Sequence, residues 1–238
     1  MNGSSRSIAI KKNIIASLFL KGISILVSLQ VVPLTINYIN PTRYGIWLTL
    51  SSIVAWLSYF DLGFAHGFRN RFAEAVAKGD MQLAREYVST TYVVLSLLFS
   101  SVFLIAIVVN HFVDWSAILN VDAAYSSELN IVFGILAFFF CLNIVASIFT
   151  TMLTANQKPA LASLIQTLGQ VFGFICIYIL TKTVPGNLDV LAFAFSGVPC
   201  FLLIIISIGM FLSGRYRHLS PSFHFVHFSL TKKIVGLG

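Results

Sequence analysis

The stretch NIIASLFLKGISILVSLQVVPLTINYI at residues 13–39 decides the fold class of this chain. It is long enough to cross a bilayer as a helix, which takes about 20 predominantly apolar residues. Its one charged residue is Lys21. A charge at membrane depth costs about 3 kcal/mol on insertion scales. We therefore expect Lys21 to face a polar cavity rather than lipid.

The rest of the chain repeats this pattern. Of its 238 residues, 58% are apolar and only 10% are charged, and the mean hydropathy is +0.90. Soluble domains carry about 25% charged residues, so the composition indicates an integral membrane protein. The long apolar stretches do not alternate strictly between apolar and polar residues, which favours transmembrane helices over the strands of a β-barrel. We predict an all-α, six-helix transmembrane lobe over residues 13–212, with helices near 13–39, 44–64, 85–110, 129–153, 160–181 and 190–212.

Proline, glycine and asparagine mark the predicted helix ends. Asn40-Pro41 fits a tight turn. Gly79 fits the end of one helix, and Asp80 fits the N-cap of the next. Pro159 fits the first turn of the fifth helix. Pro185-Gly186-Asn187 separates the last two helices.

The basic residues are unevenly divided between alternate connections. One set carries twelve: Arg6, Lys11, Lys12, Arg69, Arg71, Lys78, Arg85, Lys158, Arg215, Arg217, Lys232 and Lys233. The other set carries Arg43 and Lys182. The positive-inside rule then predicts a cytoplasmic N terminus. We therefore expect residues 1–12 to form a cytoplasmic segment, 213–228 a cytoplasmic connection, and 229–238 the start of a further, truncated helix. Because the basic residues are divided among several loops, we expect no nucleic-acid partner.

Residues 67–78 have a helical pattern with two unlike faces. Phe68, Phe72, Ala75 and Val76 recur at helical spacing among charged residues. We expect an amphipathic helix lying at the cytoplasmic membrane surface. A plain solvated loop helix is the alternative.

Polar stripes follow the first two predicted helices. Helical spacing stacks six polar residues along the first helix: Asn13, Ser17, Lys21, Ser24, Ser28 and Thr35. The second has Gly45, Thr49, Ser52, Trp56 and Tyr59. No acidic residue lies at comparable depth in the six stretches. Lys21 therefore indicates an anion site, with snorkelling to the cytoplasmic surface as the alternative.

The fourth and fifth predicted helices also carry polar residues, which more readily join helices than bind a ligand. On the fifth, Gln166 and Gln170 accompany Gly169 and Gly173, whose four-residue spacing predicts close approach of another helix.

Other reactive residues have plainer explanations. Asp61 is expected to cap the next turn or pair with Arg69 or Arg71, and a coupling role in proton or cation relay is the alternative. We expect no metal site among the histidines and reduced thiols at the three cysteines. Without a nucleophile–base constellation or a nucleotide motif, we do not expect an enzyme.

The order of four short motifs resembles a known family. Lys12-Asn13 enters the first helix, Tyr44-Gly45-Ile46-Trp47 follows the turn, Asp61-Leu62-Gly63 closes the second helix, and Gly79-Asp80 ends the basic helix. This is similar to the N-terminal part of Wzx-type polysaccharide-biosynthesis flippases, in the multidrug/oligosaccharidyl-lipid/polysaccharide exporter superfamily. The departure is length, because family members have two such lobes.

The resemblance implies a function in the bacterial inner membrane. Such transporters move undecaprenyl-pyrophosphate-linked oligosaccharide repeats from the cytoplasmic to the periplasmic leaflet, for O-antigen, capsule or exopolysaccharide synthesis, by alternating access. It implies a proton or sodium gradient as the driving force, no cofactor, and polysaccharide polymerase or assembly proteins as partners.

The resemblance also implies roles for the polar stripes. Lys21 would attract the pyrophosphate, while Ser17, Ser24, Ser28, Thr49 and Ser52 would meet sugar hydroxyls. Trp56 and Tyr59 would stack on sugars, with packing against a neighbouring helix as the alternative. Arg43 would sit at the periplasmic mouth or act as an interfacial anchor.

Three other functions stay open. A cation-coupled multidrug exporter of the same superfamily should present a carboxylate within the membrane. A membrane-embedded glycosyltransferase or polymerase would need a catalytic periplasmic loop, and the longest outward connection, 111–128, has no convincing spacing for one. A structural scaffold is the third.

Overall fold

Long apolar helices form the framework of the molecule. The structure, a computed structural model, describes residues 3–61 and 63–235, with side chains from residue 13 onward except those of Ser58, Phe60 and Asp61. The α-helices are α1 Gly3–Ile39, α2 Pro41–Ala55, α3 Phe64–Ala77, α4 Met81–Phe112, α5 Trp115–Leu119, α6 Ser126–Ala155, α7 Pro159–Thr183, α8 Leu188–Leu212 and α9 Ser229–Val235. Short 3₁₀ segments occupy Trp56–Asp61, Ala123–Tyr125, Arg217–Leu219 and Phe223–Phe225.

Within the described residues, five segments are long and apolar enough to cross a membrane: Asn13–Ile39, Met81–Phe112, Ala123–Ala155, Pro159–Thr183 and Leu188–Leu212. The all-α membrane class is thus confirmed, while the count of six spanning helices is not. The predicted second helix divides into the 15-residue α2 and a six-residue 3₁₀ segment. At 1.5 Å per residue, α2 is about 22 Å long, shorter than the roughly 30 Å hydrocarbon core.

Neighbouring helices follow a different order from the chain. α1 packs mainly on α7, α7 on α8, α8 on α6, and α6 on α4. α2 touches α6, α1 and α8, and α3 rests on α4 and α6. The predicted close approach at α7 is confirmed, because Pro199 of α8 lies against Gly169 and Gly173. A Cβ on Gly169 would be 3.1 Å from the Pro199 Cβ.

The two sets of connections lie at opposite ends of the bundle. At one end Asn13 donates to the Gln157 carbonyl, and Arg85 donates to the Ser220 carbonyl. At the other, Arg43 donates to the Gly186 carbonyl. We call the first end, with its many lysines and arginines, the basic end and the second the opposite end. The basic end is predicted to be cytoplasmic.

The helix ends use the predicted residues. Asn40, at a φ of 73°, accepts a hydrogen bond from the Arg43 N–H, and Pro41 occupies the first turn of α2. Gly79 has a φ of +76°, and the Asp80 carboxylate accepts from the Leu83 N–H to cap α4. These local predictions are confirmed.

The amphipathic helix exists as α3, but its apolar face packs inside the protein instead of facing lipid, and its place at the cytoplasmic membrane surface stays a prediction. Phe68 and Phe72 are fully buried, and Ala75 is 2% exposed. They belong to a hydrophobic cluster with α4, α6, α8 and α9. Burial within the protein replaces burial in lipid because α9 and the segment before it fold back along α3 and α4.

The segment after α8 is fastened to α4 by side-chain oxygens. The Ser222 N–H donates to the Ser89 hydroxyl over 3.1 Å, and the His227 N–H donates to the Thr90 hydroxyl over 3.0 Å. Both hydroxyls are buried. The predicted connection 213–228 is thus ordered against the bundle, and α9 follows it.

Gly67 is the tightest point between α3 and α9. A Cβ there would overlap the Ile234 carbonyl oxygen. We expect Gly67→Ala to displace α9 and lower the free energy of unfolding by about 1–3 kcal/mol, measured by thermal unfolding in detergent. Gly209→Ala is the matched control, since open space surrounds that position within helix α8. Equal unfolding temperatures for the two variants would contradict the α3–α9 contact.

Candidate functional site

An apolar cavity of about 320 Å³ lies between α1, α2, α7 and α8. We call it the main cavity. It exists because α1 leans on α7 and makes little contact with α2, and because Gly173 presents no side chain to fill the gap. Its lining residues are Val27, Ser28, Val31, Val32, Thr35, Tyr44, Trp47, Leu48, Gln170, Gly173, Phe174, Ile177, Phe195 and Pro199.

A few polar groups converge on this apolar surface, as is usual for small-molecule sites. Ser28 and Thr35 donate to carbonyls one turn earlier in α1, at 2.9 Å and 2.7 Å. Gln170 brings a side-chain amide from α7, and Tyr44 brings a phenol from α2. No carboxylate is among these fourteen lining residues.

The polar residues of α1 have two different kinds of contact. Asn13 and Ser24 join α1 to α7: Asn13 donates to the Gln157 carbonyl, and the hydroxyls of Ser24 and Thr167 share a hydrogen bond of 3.0 Å. The Ser17 hydroxyl is buried without a partner among the described residues. Ser28 and Thr35, further along, line the main cavity. Only part of the predicted stripe therefore reaches a cavity.

Lys21 is exposed on α1, and within the described part of the chain no side chain forms an ion pair or hydrogen bond with it. It lies seven residues before Ser28, which places it about 10 Å along the axis on nearly the same face. The bonds Asn13–Gln157 and Ser24–Thr167 set the alignment of α1 on α7. By that alignment Lys21 lies level with the turn of α7 that carries Gln166.

Thr49, Ser52, Trp56 and Tyr59, which belong to the polar face predicted for the second helix, do not line the main cavity. Thr49 and Ser52 are exposed, and each donates to the carbonyl four residues earlier. Trp56 is 70% exposed and Tyr59 is 79% exposed. Tyr44, Trp47 and Leu48 line the cavity instead. The structure thus leaves Thr49, Ser52, Trp56 and Tyr59 on an open surface.

Arg43 is anchored at the opposite end. Its guanidinium donates to the Gly186 carbonyl over 3.1 Å and approaches the Glu128 carboxylate at 3.4 Å. It also lies over the Tyr125 ring, 5.6 Å from the centroid. These contacts join α2 to the first turn of α6, to Tyr125 just before it, and to the link before α8.

The predicted pairing partners of Asp61 are Arg69 and Arg71. The Asp61 side chain lies outside the described ones. Arg71 forms an ion pair with Glu74 at 3.2 Å, and Arg69 has no ion-pair partner among the described side chains. A pair between Asp61 and either arginine stays a prediction.

Sequence reasoning missed the half of the main cavity that comes from α7 and α8. Gln170 was recognised as polar, but Phe195 and Pro199 gave no sign of lining a site. The glycine pair at 169 and 173 was the available signal, because a helix pair brought close at glycines leaves little side-chain volume beside it.

No protein-family model matches this chain, and no curated protein or solved structure is significantly similar to it.

The Ser24–Thr167 hydrogen bond should contribute measurably to the α1–α7 contact. Hydrogen bonds between transmembrane helices average about 0.6 kcal/mol, and we expect Thr167→Val to destabilise the protein by about that amount in a thermal unfolding assay. In Thr49→Val the lost hydroxyl is exposed and bonds only within α2. That control should change stability by less than about 0.5 kcal/mol, and a larger loss in it than in Thr167→Val would contradict the assignment.

Arg43 offers a second stability test. Removing its guanidinium leaves Glu128 and the Gly186 carbonyl without their partner, which costs about 1–3 kcal/mol. We expect Arg43→Gln to lower the unfolding temperature, and a double-mutant cycle with Glu128→Gln to show coupling. Additive effects of the two substitutions would show that the ion pair contributes nothing.

Proposed function

We propose that this chain is the N-terminal lobe of a bacterial inner-membrane flippase for lipid-linked oligosaccharides. Its substrate would be an undecaprenyl-pyrophosphate-linked repeat, moved from the cytoplasmic to the periplasmic leaflet for surface polysaccharide synthesis. A proton or sodium gradient would drive alternating access, and polysaccharide polymerase or assembly proteins would be its partners.

One observation supports the proposal most. Lys21 is an ammonium on a helix fit to span the membrane, and no acid among the described residues neutralises it. Intramembrane charges usually face a protein interior or a water-filled cavity. A pyrophosphate would supply the charge that the protein does not.

The position of Lys21 bears on the snorkelling alternative. It lies eight residues, about 12 Å along the helix axis, from Asn13, whose bond to the α6–α7 turn marks the basic end. Snorkelling would therefore need the Lys21 side chain to extend along the helix axis towards the basic end over most of this distance.

Two other parts of the molecule offer groups suited to a lipid-linked sugar. The main cavity two turns beyond Lys21 is apolar, which suits a prenyl chain, while the open face of α2 and the following 3₁₀ segment presents Thr49, Ser52, Trp56 and Tyr59. We assign the hydroxyls and rings of that face to the sugars. Ser17 and Ser24 we assign to the contact with α7.

The multidrug-exporter alternative is less well supported. A cationic drug or coupling ion needs a carboxylate, and none lines the main cavity. Resistance to cationic dyes without a defect in surface polysaccharide would favour that alternative.

The test measures binding of a short-chain polyprenyl pyrophosphate that carries one sugar to the purified full chain in detergent. Lys21→Gln should weaken binding about tenfold, since a hydrogen bond to a charged group contributes about 1.5–3 kcal/mol. Lys21→Arg keeps the positive charge and should retain binding.

Two controls make this test specific. Lys182→Gln removes an exposed lysine at the opposite end and should leave binding unchanged. The matching polyprenol without pyrophosphate should bind equally to the parent chain and to Lys21→Gln. Undiminished binding of the pyrophosphate by Lys21→Gln would refute the anion role of Lys21.

A further inference from the structure

A second cavity, of about 340 Å³, lies at the basic end between α3, α6 and α7. We call it the Arg69 cavity. Its volume is within the range of small-molecule sites. It is lined by Ala65, His66 and Arg69 of α3, by Thr150, Thr151 and Thr154 of α6, and by Pro159, Ala162, Ser163 and Gln166 of α7.

The chemistry of this lining differs from that of the main cavity. Hydrogen-bonding side chains make up seven of the ten residues, and none of the ten is acidic. They come from three different helices, so they can surround a ligand rather than contact it from one side. A guanidinium, an imidazole, four hydroxyls and an amide together favour an anionic ligand with several acceptor oxygens.

Arg69 is the cation that such a ligand would meet. It is exposed, and none of the described side chains pairs with it. The neighbouring Arg71 is different, because Glu74 and the Lys233 carbonyl hold it. Hydrogen bonds from Lys78 and Arg71 lower the pKa of the Glu74 carboxyl, so that nearby acid is ionised and already engaged.

The hydroxyl groups can donate without breaking any contact between helices. Thr150 and Thr151 donate to the Ser147 carbonyl, and Thr154 donates to the Thr150 carbonyl, all within α6. Each hydroxyl can rotate towards a ligand while α6 keeps its backbone hydrogen bonds. Ser163 and Gln166 of α7 add donors from the other wall.

We propose that the Arg69 cavity binds a phosphate group, carried by an anionic lipid headgroup or by a soluble phosphate. A guanidinium binds phosphate oxygens in a two-pronged arrangement, and the hydroxyls and amide meet the remaining oxygens. The cavity lies at the basic end, and basic pockets between transmembrane helices on the cytoplasmic side bind lipid headgroups. This site is separate from Lys21 and does not depend on the function proposed above.

The test measures binding to the purified full chain in detergent by titration calorimetry, with three probes. Dioctanoyl phosphatidylglycerol carries the phosphate on a lipid, inorganic phosphate carries it alone, and dioctanoylglycerol has the chains without it. We expect the first or second probe to bind and the third to bind more weakly. Preference for the phospholipid identifies a headgroup site, and comparable binding of inorganic phosphate identifies a soluble ligand.

Substitutions locate the site. Arg69→Gln should weaken phosphate binding about tenfold, as expected for loss of a charge-assisted hydrogen bond. Arg215→Gln is the matched control, because Arg215 is exposed after α8 and does not line the cavity. A combined Ser163→Ala and Gln166→Ala variant removes donors from the α7 wall without altering charge, and it should also weaken phosphate binding. This variant tests the site even if Arg69→Gln fails to fold.

Three outcomes would overturn the proposal: equal loss in Arg69→Gln and Arg215→Gln, equal binding of dioctanoylglycerol and the phospholipid with none of inorganic phosphate, or no binding at all. The Lys21→Gln variant should bind these probes normally. Failure here therefore leaves the flippase proposal intact, and the reverse also holds.

Discussion

The close approach of α7 and α8 governs much of the interior. Pro199 lies against Gly169 and Gly173, and a Cβ on Gly169 would be 3.1 Å from its ring. Lipid gives no hydrophobic driving force between helices, so close van der Waals packing at small residues must supply the attraction. With α8 fixed there, the other side of α7 receives α1 through Thr167, and Gly173 is left as one wall of the main cavity.

Polar groups in this apolar bundle fall into two classes. Most hydroxyls donate to a carbonyl of their own helix, as Ser28 and Thr49 do, and these hydrogen bonds therefore do not join one helix to another. The cations are distinguished by their partners. Arg43 has a carboxylate, a carbonyl and an aromatic ring, whereas Lys21 and Arg69 have no ion-pair partner among the described side chains. Other described cations, such as Arg215 and Lys232, also lack an ion-pair partner, so the positions of Lys21 and Arg69, and not the missing partner alone, are the basis of the two anion sites proposed above.

Sequence reasoning could predict what depends on one segment at a time. Helix boundaries such as Pro159 and Asp80 came out correctly, because capping and proline effects act within a turn. The contact at Gly169 was foreseeable from spacing alone. The division of the second helix after Ala55 was not, since WLSYF gives no proline or glycine to end an α-helix.

Features that depend on which helices become neighbours could not be predicted. The apolar face of α3 is suitable for lipid or protein, and only the return of α9 decides that Phe68 and Phe72 lie inside the protein. Similarly, a helical spacing puts Ser24 and Lys21 on one stripe, but contact with α7 engages Ser24 and leaves Lys21 exposed. The spacing of residues in the sequence predicts which of them share one side of a helix, but the packing of the helices decides whether that side contacts protein or stays exposed.

The two cavities are linked through a single face of α7. Gln166 lines the Arg69 cavity, and Gln170, one turn further, lines the main cavity. The alignment of α1 on α7 puts Lys21 level with Gln166. Seen from the basic end, the Arg69 guanidinium and the Lys21 ammonium therefore lie before the apolar main cavity and its few polar groups. In the function proposed above, this arrangement would favour entry of an anionic head from the basic end, with its chain in the space between α1 and α2.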